Sequence, residues 1–217
     1  MINIEDFFIE LPFPKEKIKE NMFYFMNYYD MDETAQHSLE VAKEAKRLAS
    51  KFNLCPQKAY IAGLLHDVGG VIPNNERIRL ATKLNMTIFE ADKELPLLLH
   101  QDFSSYISEE LFNINDEKIL SSMACHTTLK MNASDFDKLI FISDKLKWDK
   151  NDRAPYLDSV LEQIDISLDN ACLAYFDWAF NTGMTVIHPS TQHAYDELKY
   201  KSGRFSHDIH SSNNRRT

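Results

Sequence analysis

The chain has 217 residues, 44% of them hydrophobic and 12% aromatic, with a formal net charge of −9. That length holds one sizeable core, and the apolar content excludes a disordered chain. The last nineteen residues hold five Lys/Arg and one acid, so the body before them is more acidic still, a poor surface for a nucleic-acid polymer though open to a small phosphorylated ligand wherever a metal supplies positive charge.

Only five glycines occur, and Lys, Glu, Leu and Ala are plentiful, which points to an all-α fold. Pro12 and Pro14 open a first helix over about 15–29. It carries Phe23, Tyr24, Phe25, Tyr28 and Tyr29, expected to pack on the core, with a lid or homodimer contact as the alternative. Asp30 and Glu33 form a capping-box pattern for a helix to about Phe52. His37, Val41, Ala45 and Leu48 share one face of it. Pro56 starts a helix that runs to His66-Asp67, and Gly69, Gly70 and Pro73 break it. Helices follow over about 75–84, from a turn at 95–100 to Phe112, and over about 116–125. Ile119, Met123 and His126 lie on one stripe of the last of these. Ser134 with Asp137 caps a helix to about Trp148 that carries Ile140 and Asp144 on one face. A long helix over about 156–180 and a short one over 189–199 complete the list. No repeat or linker divides the chain, so 1–200 reads as one helical domain and 201–217 as a polar, disordered tail, where His207 and His210 are poor site candidates.

Cys55, Cys125 and Cys172 are odd in number, widely spaced and form no CxxC pair. This fits a reducing cytosol and argues against a disulfide framework or zinc ribbon. No apolar run reaches the roughly 18 residues of a membrane span. The start, Met1-Ile2-Asn3-Ile4-Glu5-Asp6, has no signal-peptide character. A cytoplasmic protein without a membrane span is the expectation.

Polar residues at apolar helix faces or helix ends are the informative set: His37, His66, Asp67, His100, His126 and Asp144. His66-Asp67 ends the apolar run from Ala59 to Leu65, where desolvating two such groups is costly unless something offsets it. Adjacent helical residues point about 100° apart, so a metal shared by this pair lies over the gap between them. Singly, each residue has an ordinary explanation: a satisfied interior histidine at His37, a turn anchor at His100, a helix-end imidazolium at His126, a solvated acid at Asp144. Together they fall on separate helices, and metal sites in helical bundles are built from such convergence. Imidazole and carboxylate suit iron, manganese or zinc.

The order His…His-Asp…Asp, with Leu64-Leu65-His66-Asp67 ending a helix, resembles the HD-domain metal-dependent phosphohydrolases. The segments Ala62–Asp67, Leu97-Leu98-Leu99-His100, Cys125-His126-Thr127-Thr128 and Asp137–Lys145 are similar to the YqeK-type subgroup, which contains symmetrical diadenosine tetraphosphate hydrolases. The resemblance covers about 34–174 and implies an HD-domain helical bundle to which the first helix is an N-terminal addition. It implies His37, His66, Asp67 and Asp144 as metal ligands, iron as the usual metal, and His100 and His126 facing the phosphate or holding a second metal. Asp67, His100 and His126 are then the catalytic candidates: Asp67 orients or deprotonates water, and the two histidines stabilise phosphoryl charge and protonate the leaving group. Thr127, Lys147 and Lys150 join the two histidines as substrate-binding candidates. Three positions depart from the subgroup: Gly70 stands for a lysine, Leu129 for a glycine and Lys150 for an arginine. Lysine for arginine exchanges a bidentate fork for a point charge. Lys147 shares the face of Asp144 and is a candidate to replace the charge missing at Gly70. The expectation is hydrolysis of a nucleotide phosphoanhydride or phosphoester, with a dinucleoside tetraphosphate as one substrate. A nucleoside monophosphatase or a silent nucleotide-binding domain are the alternatives.

Overall fold

The computed structural model describes residues 3–147 and 154–203. Eleven α-helices and no strand occur among them: α1 (Ile18–Tyr28), α2 (Asp32–Lys51), α3 (Pro56–Leu65), α4 (Asn74–Lys83), α5 (Glu90–Glu94), α6 (His100–Glu110), α7 (Glu117–Met123), α8 (Asp135–Leu146), α9 (Leu157–Ile164), α10 (Leu168–Asn181) and α11 (Pro189–Lys201). Single 3-10 turns span Ile4–Phe7, Val68–Val71 and Pro96–Leu99.

The centre is the crossing of α2 and α3. Val41, Ala42, Ala45, Leu48 and Ala49 on α2 are fully buried, as are Ala59, Ala62 and Leu65 on α3. Small residues let the backbones meet: a Cβ on Gly63 would lie 2.6 Å from Ala42 Cα. This contact brings the end of α3 beside the first half of α2, and so His66 beside His37. Helix α8 packs on both α2 and α10 through Leu139, Ile140, Phe141 and Ile142, all fully buried. Helix α1 buries Met22, Phe25 and Met26 and leaves Tyr24 and Tyr28 exposed. The Phe25 ring meets Phe112 edge-on at 5.7 Å, and the Tyr29 hydroxyl donates to Phe7 O at 2.8 Å, so the aromatic helix packs on the core as expected.

Several boundaries differ from the sequence expectation, each for a local reason. The Asp30–Glu33 capping box does not form: Asp30 has φ 57°, Met31 precedes the helix, and no side chain caps it. The Ser134–Asp137 box does form, with Asp137 N donating to Ser134 Oγ at 3.1 Å and Ser134 N to Asp137 Oδ2 at 2.8 Å. The long helix over 156–180 is two helices. Ser167 accepts from Asn170 N at 3.0 Å and opens a new N-terminus, which is the ordinary work of a capping serine. After Asp67 the chain turns through Val68–Val71 rather than breaking at once. Helix α5 and the turn over Ile4–Phe7 carry too few residues to show a periodicity. Lys150, Trp148, His207 and His210 lie outside the described residues.

Candidate metal centre

Three of the site histidines are presented by the same local device. His66 follows α3, His100 follows the Pro96–Leu99 turn, and His126 lies just past α7. Each ring turns back on its own chain: Nδ1 donates to the carbonyl three residues earlier, His66 to Gly63 O at 2.8 Å, His100 to Leu97 O at 2.7 Å and His126 to Met123 O at 2.8 Å. A carbonyl only accepts, so Nδ1 carries a proton in each, and in the neutral form of the ring Nε2 is the atom with the lone pair. All three Nε2 atoms face Asp67. His66 Nε2 is 3.2 Å from Oδ2, while His100 and His126 Nε2 are 3.1 and 3.3 Å from Oδ1. The His100 and His126 Nε2 atoms are themselves 2.9 Å apart. From α2, His37 Nε2 lies 3.0 Å from Asp144 Oδ1 and 3.9 Å from Asp67 Oδ2. Asp144 Oδ1 is also 3.5 Å from His66 Nε2. The structure therefore brings together His37, His66, Asp67, His100, His126 and Asp144.

Lone pairs and carboxylate oxygens at these distances repel unless a positive charge sits among them. His66 Nε2 is buried with no hydrogen-bond partner, the kind of orphaned polar atom that an ion or a water satisfies. Burial disfavours charge on His66, yet Asp67 and Asp144 overcome it and raise its pKa to about 10. Burial disfavours charge on His126 as well, and there it prevails: with His100 and His66 beside the ring, it pushes the pKa down to about 4. Both carboxylates are half-buried, 18% and 16% exposed, and their desolvation alone would favour the acid. The histidines around Asp67, and Lys145 with His37 and His66 around Asp144, instead hold both well below the usual carboxylate range. The ligand atoms form two groups, His37/His66/Asp67 and Asp67/His100/His126, each within 4.8 Å, with one Asp67 oxygen in each. Neutral imidazoles and ionised carboxylates in this number suit a divalent transition cation, and the backbone carbonyls on Nδ1 are the outer partners such ligands use. The residues fit a metal.

The centre opens into a cavity of about 950 Å³. Thr127 lines it, with Oγ1 3.4 Å from His100 Nε2. Gln101 Oε1 accepts from Thr127 N at 3.2 Å and Thr128 N at 3.3 Å, holding that loop. Lys147 also lines the cavity, paired with Glu44 Oε2 at 3.3 Å. At Gly70, the space of a side chain belongs to Met31, whose Cε lies 2.9 Å from where a Cβ would stand. The sequence reading missed Lys145. Its Nζ is 2.6 Å from Asp144 Oδ2 and lies over the Phe141 and Tyr175 rings at 5.0 and 5.7 Å. The available signal was a lysine four residues after Phe141 on a helix whose residues 139–142 are apolar.

The HD domain family model matches residues 34–149. An uncharacterised protein of Lactococcus lactis subsp. cremoris is 39% identical over 157 residues, 72% of this chain and 78% of the relative. A symmetrical bis(5'-nucleosyl)-tetraphosphatase of Halalkalibacterium halodurans is 30% identical over 142 residues, 64% of this chain and 73% of that protein. Among solved structures, one described as a predicted HD superfamily hydrolase involved in NAD metabolism from Clostridium acetobutylicum matches with TM-score 0.75 and 28% identity, covering 87% of this chain and 98% of that one. The chain belongs to the HD domain family and is an HD-domain hydrolase that resembles the symmetrical bis(5'-nucleosyl)-tetraphosphatases.

Proposed function

We propose that this chain hydrolyses a phosphoanhydride bond of a dinucleoside tetraphosphate at a metal centre held by His37, His66, Asp67 and Asp144, with His100 and His126 holding a second ion. The observation that carries this is the convergence of His66, His100 and His126 Nε2 on the two oxygens of Asp67. A divalent ion held there would supply Lewis acidity to a phosphoryl oxygen and lower the pKa of water enough to provide hydroxide as the nucleophile near neutral pH. The chain's own groups do the rest. His126, neutral by burial, serves as a ligand and not as the proton donor that its sequence position allowed. Asp67, with one oxygen toward each histidine group, would serve as a ligand in both. Lys145, charged against Asp144, and Lys147 at the cavity wall draw the polyphosphate in, and the Thr127 hydroxyl bonds a phosphoryl oxygen. A cavity of about 950 Å³ lies at the upper end of ligand-pocket sizes, which favours a dinucleotide over a monophosphate. Iron is the metal the resemblance implies, and manganese and zinc suit the same ligands. The three free thiols are consistent with a reducing cytoplasm.

The test is elemental analysis of the purified protein, then turnover with the metal found. Release of two nucleoside diphosphates from a dinucleoside tetraphosphate is expected. Phosphate from monophosphates alone would replace this substrate by the nucleotidase one, and a protein that takes up no divalent metal would overturn the mechanism.

A further inference from the structure

Arg77 is buried, 3% exposed, on α4, which contributes no residue to the metal centre. Among the described residues no carboxylate forms an ion pair with it. Its guanidinium instead donates to three backbone carbonyls: Nε to Ile72 O at 2.9 Å, Nη1 to Leu97 O at 3.1 Å and Nη2 to Gly70 O at 3.3 Å. Burying a guanidinium without a paired acid is costly, so the position of these carbonyls is what the cost secures. Gly70 and Ile72 belong to the segment that leaves His66-Asp67. Leu97 O is the carbonyl that also accepts from His100 Nδ1, at 2.7 Å. One guanidinium thus joins the segment that carries Asp67 to the turn that aims His100. The two already meet without slack: a Cβ on Gly69 would lie 2.2 Å from His100 O, and Gly69 N donates to Ser104 Oγ at 2.9 Å.

We propose that Arg77 is a positioning residue of the metal centre, a clamp that sets His100 Nε2 against Asp67 Oδ1. The inference rests on reading this cluster as a metal centre and adds a residue that touches neither ion nor substrate. A planar fork of five donors reaches three carbonyls in different directions, which a lysine ammonium cannot do. By holding Leu97 O in place, Arg77 keeps the acceptor that selects the Nδ1–H form of the His100 ring.

Arg77→Lys and Arg77→Met test this in the full chain. In the metal-free protein, the ring nitrogens of His66, His100 and His126 are followed by two-dimensional 1H–15N NMR. Both variants should show His100 alone sampling two tautomers, with His66 and His126 as in the wild type. Titration with Mn²⁺ should show affinity reduced roughly 10–100-fold, the range for loss of an outer partner. Arg77→Lys keeps the charge and the buried stem, so it reports where Arg77→Met fails to fold. His100 signals and Mn²⁺ affinity equal to wild type in Arg77→Lys would overturn the proposal, whatever the melting temperature, and so would equal disturbance of all three histidines. A wild type that binds metal and leaves nucleotides intact would defeat the substrate reading while these two measurements still decide the role of Arg77.

Discussion

Asp67 differs from the other candidate ligands because its two oxygens face different histidine groups, Oδ2 toward His66 and Oδ1 toward His100 and His126. The groups should therefore respond differently to substitution. Asp67→Ala removes a ligand from both and is expected to abolish metal uptake and turnover with the helical circular dichroism intact. His100→Ala removes a ligand from one group only, leaving His37, His66 and Asp144 in place. It should keep metal at the first group while activity falls by at least about 100-fold, on the scale of losing one preorganised charge-stabilising group. Metal content per chain measured beside kcat separates the cases, and full metal in Asp67→Ala would contradict its role as a ligand in both. Legibility at this scale was uneven. The six ligand-type residues stood out because histidine and aspartate on apolar faces are costly without a partner. Lys145 and Arg77 did not, since a lysine beside an aspartate and an arginine on a short polar helix read as solvated charges. Their burial depends on what packs over them.

The elements explain why the site residues meet. Helix α2 carries His37 on the face of Val41, Ala45 and Leu48, and α3 delivers His66 from its last turn. Their distance is set where Gly63 touches Ala42. Gly63→Ala places a methyl 2.6 Å from Ala42 Cα and 2.8 Å from Ala42 N, atoms that cannot swing aside. The helices must part, at a cost of about 1–3 kcal/mol for overpacking. The expected result is a lower urea midpoint together with weaker metal binding, because His37 moves from His66. Unchanged metal affinity beside lost stability would show that the crossing does not set the site. Capping chemistry marked α8 well, where Ser134 caps the helix; in the structure Asp116 caps α7 too, accepting from Lys118 N and Ile119 N at 3.0 and 3.3 Å. It misled at Asp30, whose positive φ turns the chain before the helix begins. It was overlooked at Ser167, where an apolar stripe running through the break masked a new N-terminus.

For the whole molecule, the buried charges predict how stability follows pH in the metal-free protein. His66 has its pKa raised from 6.5 to about 10, so the folded state holds a proton that the unfolded chain has lost between those values. Stability from this group is full below about 6.5 and disappears as pH rises through 10. His126 has its pKa lowered from 6.5 to about 4, so the unfolded chain binds the extra proton in that window, and stability falls as pH drops from 6.5 toward 4. Asp102, its pKa raised by burial to about 7, keeps a proton that the unfolded chain loses above about 3.8 and so opposes the His126 effect on the acid side; the melting temperature should therefore show its clear decline on the alkaline side, as pH rises from about 7 toward 10. A saturating divalent metal replaces the proton on His66 and should flatten the alkaline limb. Calorimetry with and without chelator checks this, and an alkaline limb indifferent to metal would count against ligation by His66. The amino-acid order by itself determined the helical class, most helix positions and the set of ligand-type residues, because periodicity, capping and the desolvation cost of polar side chains are local properties. Tertiary structure alone decided that His66, His100 and His126 share one aspartate, that burial pushes the pKa of His126 down, and that Arg77 donates to carbonyls on both loops. Those facts depend on distances between segments far apart in the chain and on the low dielectric that their packing creates.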